Sequence, residues 1–419
     1  MTRPAALRSG VSPLALLVLA ACAGPGPLQV SESGSGAYEP ALAAMGGGAA
    51  VAWYDNRDGN AEIYLRFVGV EPGVGAAASA RNGLSPEVRL TRTGAESYEA
   101  SIDGLGEGLA VAWYEKSATG DLEARLGLWM AEQGFLWETP VEAHEGTSRN
   151  PVVVADGERG RVFCAWIGRR DGWESVMAAW WGREGDMLGE PLRLGLAGTT
   201  TWNLNAALAP DGAAVVVWDA AAGRRTEELY LARVDAAGVR SVRLTWEDGH
   251  ASKYPDIALG PDRAALTWFD EKNGNREVYL WTGSLEGLWR DAEAGAGIDD
   301  DSRRVTESPG ETIGAYIAYS AAGSGSFSLA WSDEVDGGRQ IFFLALDASG
   351  SPLAEPRRLS SGDGLKYVPA IEALGEGFAL TWNEVRPGPG GPHGGDSRSE
   401  VFFAEVGHDG RRSGITSRP

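Results

Sequence analysis

The sequence predicts an all-β fold, a seven-bladed β-propeller of four-stranded antiparallel blades. Three observations support this prediction: a short apolar run that ends in tryptophan recurs seven times, each run leads into a polar turn, and a second apolar run then follows. The tryptophans recur at intervals of about fifty to sixty residues, a period typical of repeat architectures. They are Trp53, Trp113, Trp166, Trp218, Trp268, Trp331 and Trp382.

Each repeat contains four segments of strand length, which in the first unit lie near residues 40–44, 49–54, 62–68 and 87–91. The second segment is apolar at nearly every position, as expected for a strand covered on both faces. Such sheets stack radially in a propeller, so we expect each repeated tryptophan to lie between neighbouring blades. An acidic or amide residue opens the third segment of every unit, and seven copies indicate a structural role.

The spacing of residues near the two chain ends predicts how the ring of blades closes. Val30 and Ser31 precede Tyr38 at the spacing with which Leu90 and Thr91 precede Tyr98. We therefore predict that the N-terminal strand acts as a fourth strand for the last blade, beside residues 400–406, and closes the ring. The alternative is that residues 412–416 fill this place.

The first residues read as an export signal. Arg3 and Arg8 precede an apolar stretch at 14–20 that is too short to span a bilayer as a mature helix, and Leu-Ala-Ala-Cys ends it at Cys22. This ending resembles the lipobox of bacterial lipoproteins. The resemblance implies a signal peptide at 1–21, lipidation of Cys22, a short lipid tether at 22–27 and a propeller at 28–419. Because Ala23 follows the cysteine, we expect an outer-membrane location; the alternative is an ordinary cleaved signal with an incidental cysteine.

Composition narrows the function classes. The formal net charge of −21 argues against nucleic-acid partners. With Cys22 lipidated, only Cys164 remains, so no intramolecular disulfide is expected. The four histidines lack metal-ligand spacing and no phosphate-binding glycine motif precedes a helix, so neither a metal nor another cofactor is predicted.

The turn after the tryptophan carries a family resemblance. Residues 53–64 read W-Y-D-N-R-D-G-N-A-E-I-Y, and residues 268–279 read W-F-D-E-K-N-G-N-R-E-V-Y. These segments resemble the S-D-R-x-G-x-x-x-I-Y repeat of Tol-type and related bacterial propellers, with a tryptophan ahead of the acid. The resemblance implies the fold much more than an activity.

Two sets of residues are candidate sites. Aromatic residues stand where the innermost strand begins in six units, and we predict that they bind a ligand on one face of the disc; the alternative is that they fill gaps between blades. They are Tyr38, Tyr98, Trp202, Tyr254, Tyr316 and Tyr367.

The third unit departs from the repeat with Arg169, Arg170 and Trp173, which we predict to be a partner-binding sector. A longer loop is predicted at 387–395 on the face that carries the aromatic residues, and another at 285–303 on the opposite face.

These features predict a lipid-anchored, non-enzymatic propeller of the bacterial cell envelope that binds or scaffolds a protein or glycan partner. The membrane is contacted through the N-terminal lipid. A glycan-active hydrolase of sialidase-like type is the alternative, although the S-x-D-x-G-x-x-W boxes of sialidases are absent from the sequence. A spacer whose faces bind nothing in particular is a third possibility.

Overall fold

A computed structural model describes residues 26–70, 83–142, 147–170, 172–195, 199–222, 225–388 and 397–413. The side chains of Arg170, Val368 and Ser413 are outside this description. The predicted signal peptide, Cys22 and most of the loop at 387–395 also lie outside the described residues, so the predictions made for them remain predictions.

The described chain consists of short strands and a single helix. In order they are β1 (Leu28–Gln29), β2 (Ala37–Met45), β3 (Gly48–Asp55), β4 (Glu62–Val68), β5 (Val88–Arg89), β6 (Glu96–Leu105), β7 (Gly108–Lys116), β8 (Leu122–Met130), β9 (Gly134–Pro140), β10 (Ser148–Asp156), β11 (Arg161–Arg170), β12 (Trp173–Gly182), β13 (Leu192–Arg193), β14 (Thr199–Leu208), β15 (Ala214–Ala222), β16 (Glu228–Asp235), β17 (Gly238–Arg243), β18 (Ser252–Leu259), β19 (Ala264–Asp270), β20 (Glu277–Gly283), α1 (Leu285–Glu293), β21 (Arg303–Arg304), β22 (Thr312–Ser320), β23 (Ser326–Val335), β24 (Gly338–Asp347), β25 (Arg357–Arg358), β26 (Leu365–Leu374), β27 (Gly377–Arg386), β28 (Arg398–Val406) and β29 (Arg412–Ser413).

The strands form seven antiparallel sheets, which confirms the predicted seven-bladed propeller. Blades 1 to 6 have the simple orders β2-β3-β4-β5, β6-β7-β8-β9, β10-β11-β12-β13, β14-β15-β16-β17, β18-β19-β20-β21 and β22-β23-β24-β25. Blade 7 has the order β26-β27-β28, and both terminal strands, β1 and β29, pair with the outer edge of β28. The first strand of each blade is innermost and lines a central channel.

The seven repeated tryptophans lie in the cores between adjacent blades. Each is at most 2% exposed. Several stack on an aromatic residue of the third strand, as Trp53 does on Tyr64 at a centroid distance of 6.2 Å and Trp268 does on Tyr279 at 5.8 Å. The second strands are buried on both faces, with β19 buried throughout. Apolar burial between neighbouring sheets therefore holds the disc together.

The acid that opens the third strand is held in a repeated hydrogen-bonded corner. In blade 1 the Thr91 hydroxyl accepts the Ile63 N–H at 2.9 Å and donates to Glu62 at 2.5 Å. The Arg89 guanidinium contacts the same fully buried carboxylate at 2.8 Å. The same corner is built by Glu228, Thr245 and Arg243, by Glu277, Thr306 and Arg304, and with an amide by Gln340 and Ser360. Because a buried charge needs paired partners, this arrangement accounts structurally for the acid or amide of blades 1, 4, 5 and 6. Glu123 and Glu174 are instead partly exposed and pair with Arg125 and Arg149.

The two chain ends meet on the outer edge of blade 7. Leu28 of β1 pairs with Phe403 of β28, and lower on the same strand Val406 pairs with Arg412 of β29. The Ser31 hydroxyl accepts the Val401 N–H at 2.8 Å and also bonds the Glu400 carboxylate, so the N-terminal segment supplies the corner that a fourth strand supplies elsewhere. The N-terminal strand β1 and the C-terminal strand β29 therefore both pair with β28, at different points along its length.

The long connection in blade 5 is not simply a loop, as the sequence-based interpretation had it, because it folds into α1. Ser284 caps the helix by accepting the Gly287 N–H at 3.0 Å, and Leu288 and Trp289 are buried beneath it. An amphipathic face with a serine cap is sufficient for a short helix that is supported by tertiary packing. No helix in the described part of the chain is long and apolar enough to cross a membrane.

Candidate functional site: the upper channel mouth

The upper face is defined here as the end of the disc at which the seven first strands begin. The hairpins between second and third strands lie at this same end, because the strands of each blade alternate in direction. The channel beneath the upper face is a cavity of about 790 Å³ lined by residues from all seven first strands. This volume lies within the usual range for small-ligand sites, roughly 300–1,000 Å³.

Each first strand has a bulge near the upper face, where its pairing with the second strand shifts register. A bulge re-aims a side chain, and here the bulge residues line the cavity. Glu39, Glu99, Asn150 and Tyr254 adopt left-handed backbone conformations at this point, with φ between 49° and 53°. The repeat symmetry is thus broken at the mouth, since equivalent positions carry different chemistry.

Blades 1 and 2 place a carboxyl group at the bulge, on Glu39 and Glu99. Burial, together with the nearby Glu99 carboxylate, raises the pKa of Glu39 to about 7. Burial also raises the pKa of Glu99, which Arg149 and a 3.4 Å hydrogen bond from the Tyr114 hydroxyl partly offset. The corresponding positions of the other described blades are not acidic. This carboxyl pair is therefore an asymmetric feature of the mouth.

A continuous stack of tyrosines packs behind these two carboxyl groups. The Tyr38 ring stacks on Tyr54 at a centroid distance of 5.4 Å, Tyr54 contacts Tyr98 edge-on at 5.1 Å, and Tyr98 lies 5.7 Å from Tyr114. All four side chains are half-buried. The stack fixes the positions of blades 1 and 2 relative to each other at the mouth.

The six predicted aromatic residues do not occupy equivalent positions. Tyr38, Tyr98 and Tyr367 stand just before the bulge. Trp202 is one of the two bulge residues of β14. Tyr254 is at the bulge itself and Tyr316 is two residues beyond Gly314, the bulge residue of β22, and these two line the cavity. Their ligand-binding role remains a prediction.

The predicted aromatic residues also differ in exposure. Trp202 is 39% exposed and Tyr254 is 46% exposed, whereas Tyr38 and Tyr98 are engaged in the tyrosine stack. The Lys253 ammonium lies 5.9 Å from the centre of the Trp202 ring, and Tyr367 has the Arg339 guanidinium 5.7 Å from its ring. Trp202 and Tyr254 are thus the members with the most aromatic surface exposed to solvent.

The predicted partner-binding sector forms the hairpin between β11 and β12. Trp173 is 56% exposed and pairs in register with Arg170, whose side chain is outside the described part of the chain. Arg169 is exposed and pairs with Glu174. The geometry places this sector beside the mouth on the upper face, and its binding role remains a prediction.

Sequence reasoning did not identify the carboxyl groups deeper in the channel. The Asp103 carboxylate accepts the Ala155 N–H of the next blade at 2.8 Å, and Asp256 likewise accepts the Ile317 N–H at 2.8 Å. These contacts satisfy backbone groups on the inner edges of β10 and β22, which no further strand pairs. Burial raises the pKa of Asp103 to about 6 and that of Asp256 to about 7. The signal was a single acid beside apolar residues in the second half of a first strand.

Glu372 of β26 is the third deep carboxyl group. Its side chain is exposed to the channel, and burial of the site together with Asp103 and Asp256 raises its pKa to about 8. In the described part of the chain, no three histidine, cysteine or acidic side chains are grouped closely enough to hold a metal ion.

The fold and this mouth define the chain as a seven-bladed β-propeller with a ligand-sized central channel. No family model and no curated protein matches the sequence. Solved structures that match include the Hadza microbial sialidase Hz136, at 13% identity and a TM-score of 0.50, over 91% of this chain and 68% of the sialidase.

Two peptidase structures are also similar. The acylaminoacyl peptidase of Pyrococcus horikoshii has 11% identity and a TM-score of 0.49, over 91% of this chain and 52% of its own. A prolyl endopeptidase has 12% identity and a TM-score of 0.47, over 88% and 50%. This chain spans about half the length of both peptidases. At such identities the likenesses to solved structures show the fold alone.

Proposed function

We propose that this protein is a lipid-anchored propeller of the bacterial cell envelope that acts as a non-enzymatic binding or scaffolding module for a protein or glycan partner. The observation that carries the proposal is the upper channel mouth, where aromatic surface borders carboxyl and amide groups on a cavity of about 790 Å³. Aromatic faces with adjacent polar groups suit sugar rings and amphipathic side chains. Attachment through Cys22, with the outer membrane as the location, is part of the same proposal.

Replacing Trp202 and Tyr254 by alanine together is expected to weaken binding of the partner about five- to a hundredfold, because each aromatic contact contributes about 0.5–1.5 kcal/mol. Ligands would be found on arrays of envelope glycans and peptides, and the Kd of the strongest ligand would then be measured by calorimetry. Both side chains are exposed, so the variant should fold normally.

The matched control is Leu353→Ala, which truncates a side chain of 54% exposure near the opposite end of the disc. We expect its Kd to equal that of the wild type. Equal binding by the Trp202→Ala/Tyr254→Ala protein would reject the mouth as the binding site.

A glycan-active hydrolase is the second candidate, favoured by one observation: only blades 1 and 2 carry a carboxyl group at the bulge. A neighbouring pair with different environments is suited to general acid and base roles. If this candidate is right, the protein releases nitrophenol from an aryl glycoside and Glu99→Gln lowers the rate at least about a hundredfold. Glu107→Gln, an exposed substitution outside the cavity, serves as the control. Absence of turnover across aryl glycosides of the common envelope sugars would count against this candidate.

A further inference from the structure

The channel lining carries several carboxyl groups that are not balanced by basic groups. Five carboxyl groups line the described cavity: Glu39, Glu99, Asp103, Asp256 and Glu372. Arg276 is the one basic side chain among the described lining residues, and it contacts Glu271 at 3.2 Å and Glu311 at 3.5 Å outside the lumen. Arg149 lies near Glu99 and bonds Glu174 and the Thr201 carbonyl. The lumen therefore attracts cations.

Two polar groups of the lining lack a partner among the described residues. No hydrogen bond reaches the carboxylate of Glu39 or the hydroxyl of Tyr316, although both line the cavity. Tyr316 lies deep in the disc, where burial and the neighbouring Asp256 carboxylate raise the pKa of its hydroxyl. That hydroxyl stays protonated at neutral pH. The Glu39 carboxyl group and the Tyr316 hydroxyl therefore provide the lumen with an acceptor and a donor that make no hydrogen bond within the described residues. Both side chains are half-buried, so a hydrogen-bonding ligand or water can reach these groups from the lumen.

The carboxyl groups are arranged along the channel and not around one point. Glu39 and Glu99 lie at the bulges, while Asp103 is four residues further along β6 than Glu99. At the rise of a β-strand this separation is roughly 13 Å along the strand. The described residues also offer no cluster of three ligands for a metal ion. An elongated ligand with separated positive charges matches this distribution better than a single ion.

We propose that the channel binds a linear aliphatic amine that carries two or more ammonium groups. One ammonium group lies between Glu39 and Glu99, and another lies near Asp103 and Glu372. The Tyr316 hydroxyl donates to a water beside the methylene chain of the ligand. This inference rests on the proposed binding function and specifies the ligand of the same channel.

Binding of such a cation should release protons at neutral pH. The pKa values of Glu39 and Asp256 are raised to about 7, so part of each group is protonated in the free protein. A nearby positive charge favours the ionised carboxylate and lowers these pKa values, so affinity should rise from pH 5 to pH 8. The charged and titratable groups that face Glu39 and Glu372 from the packed strands are Glu99, Tyr38, Tyr54, Tyr98, Tyr114, Tyr316, Asp103, Asp256 and Arg149.

The test is calorimetric titration of the full-length protein with spermidine at pH 7, in two buffers with different ionisation enthalpies. We expect binding with proton release, and Glu39→Gln/Glu372→Gln should weaken it at least about tenfold. The matched control is Glu376→Gln, which removes a charge from the exposed turn that follows β26 and leaves the lumen unchanged. Its affinity and proton release should equal those of the wild type.

Three outcomes would overturn the inference: no binding of spermidine, equal binding by the double variant, or equal weakening by the control. The last two would show nonspecific attraction to a chain of net charge −21. If a glycan or peptide binds in a manner that depends on Trp202 and Tyr254 while spermidine does not bind, the proposed function stands and this inference fails. If spermidine binds in the channel and neither glycans nor peptides bind, the inference stands and the proposed partner class fails.

Discussion

Replacing Trp268 by alanine is expected to lower the free energy of unfolding by about 3–5 kcal/mol. The indole is fully buried in the core between blades 4 and 5, where it stacks on Tyr279 at 5.8 Å. Its Nε1 atom has no hydrogen-bond partner among the described residues, so the loss comes from packing and the remaining cavity. Urea unfolding followed by circular dichroism would measure it.

Trp173→Ala provides the control for the same chemical change. The Trp173 side chain is 56% exposed on the β11–β12 hairpin, so its truncation should alter the free energy of unfolding by no more than about 0.5 kcal/mol. Equal losses for the two variants would contradict the assignment of the repeated indoles to the cores between blades.

Raising the pH from 5 to 8 is expected to lower the free energy of unfolding by about 5 kcal/mol, because each of two channel carboxyl groups contributes roughly 2–3 kcal/mol. Burial raises the native pKa values of Glu39 and Asp256 to about 7, above their values in an unfolded chain. The native state therefore binds more protons in this range, and stability is lost as the pH rises through the native pKa values. Carboxyl groups whose native pKa is lowered act in the opposite direction, but only below about pH 4. They are Asp156, Asp211 and Asp347.

The pH effect can be assigned to the channel by substitution. Glu39→Gln/Glu372→Gln should be more stable than the wild type at pH 8 and should melt with a weaker dependence on pH, measured by thermal unfolding between pH 5 and pH 8. Glu376→Gln should follow the wild-type curve. A wild-type protein whose stability rises over this interval would have the wrong sign for carboxyl groups with raised pKa values.

The tryptophan repeat was sufficient to predict the fold. The period, the apolar second strands and the polar turns are local properties, and they gave the bounds of β4 as residues 62–68, as observed. The fourth strand of that blade was predicted as 87–91 but is only Val88–Arg89, because Leu90 and Thr91 turn toward the hydrogen-bonded corner. The ends of such short strands depend on tertiary contacts, which cannot be predicted from the local sequence.

The composition of the channel could be predicted only in part. Tyr254 stands one residue nearer its tryptophan than Tyr38 does and occupies the bulge. Tyr316 has the spacing of Tyr38 but lies beyond the bulge, because the turn between β22 and β23 is longer than the turn between β2 and β3. A shift of one residue moves a side chain to the other face of a strand. The deep acids were not identified because they face the lumen from separate blades, and only the closed ring brings them together.

The shared outer edge of blade 7 has a kinetic consequence. The hydrogen bond between Val401 and Ser31 joins residues 370 positions apart in the chain. The N-terminal strand β1 is synthesised early, but it cannot pair with β28 until almost the whole polypeptide has been made. Contacts of such high sequence separation are slow to form. Six blades can assemble from neighbouring segments, and the final seam should form in the slowest step of refolding.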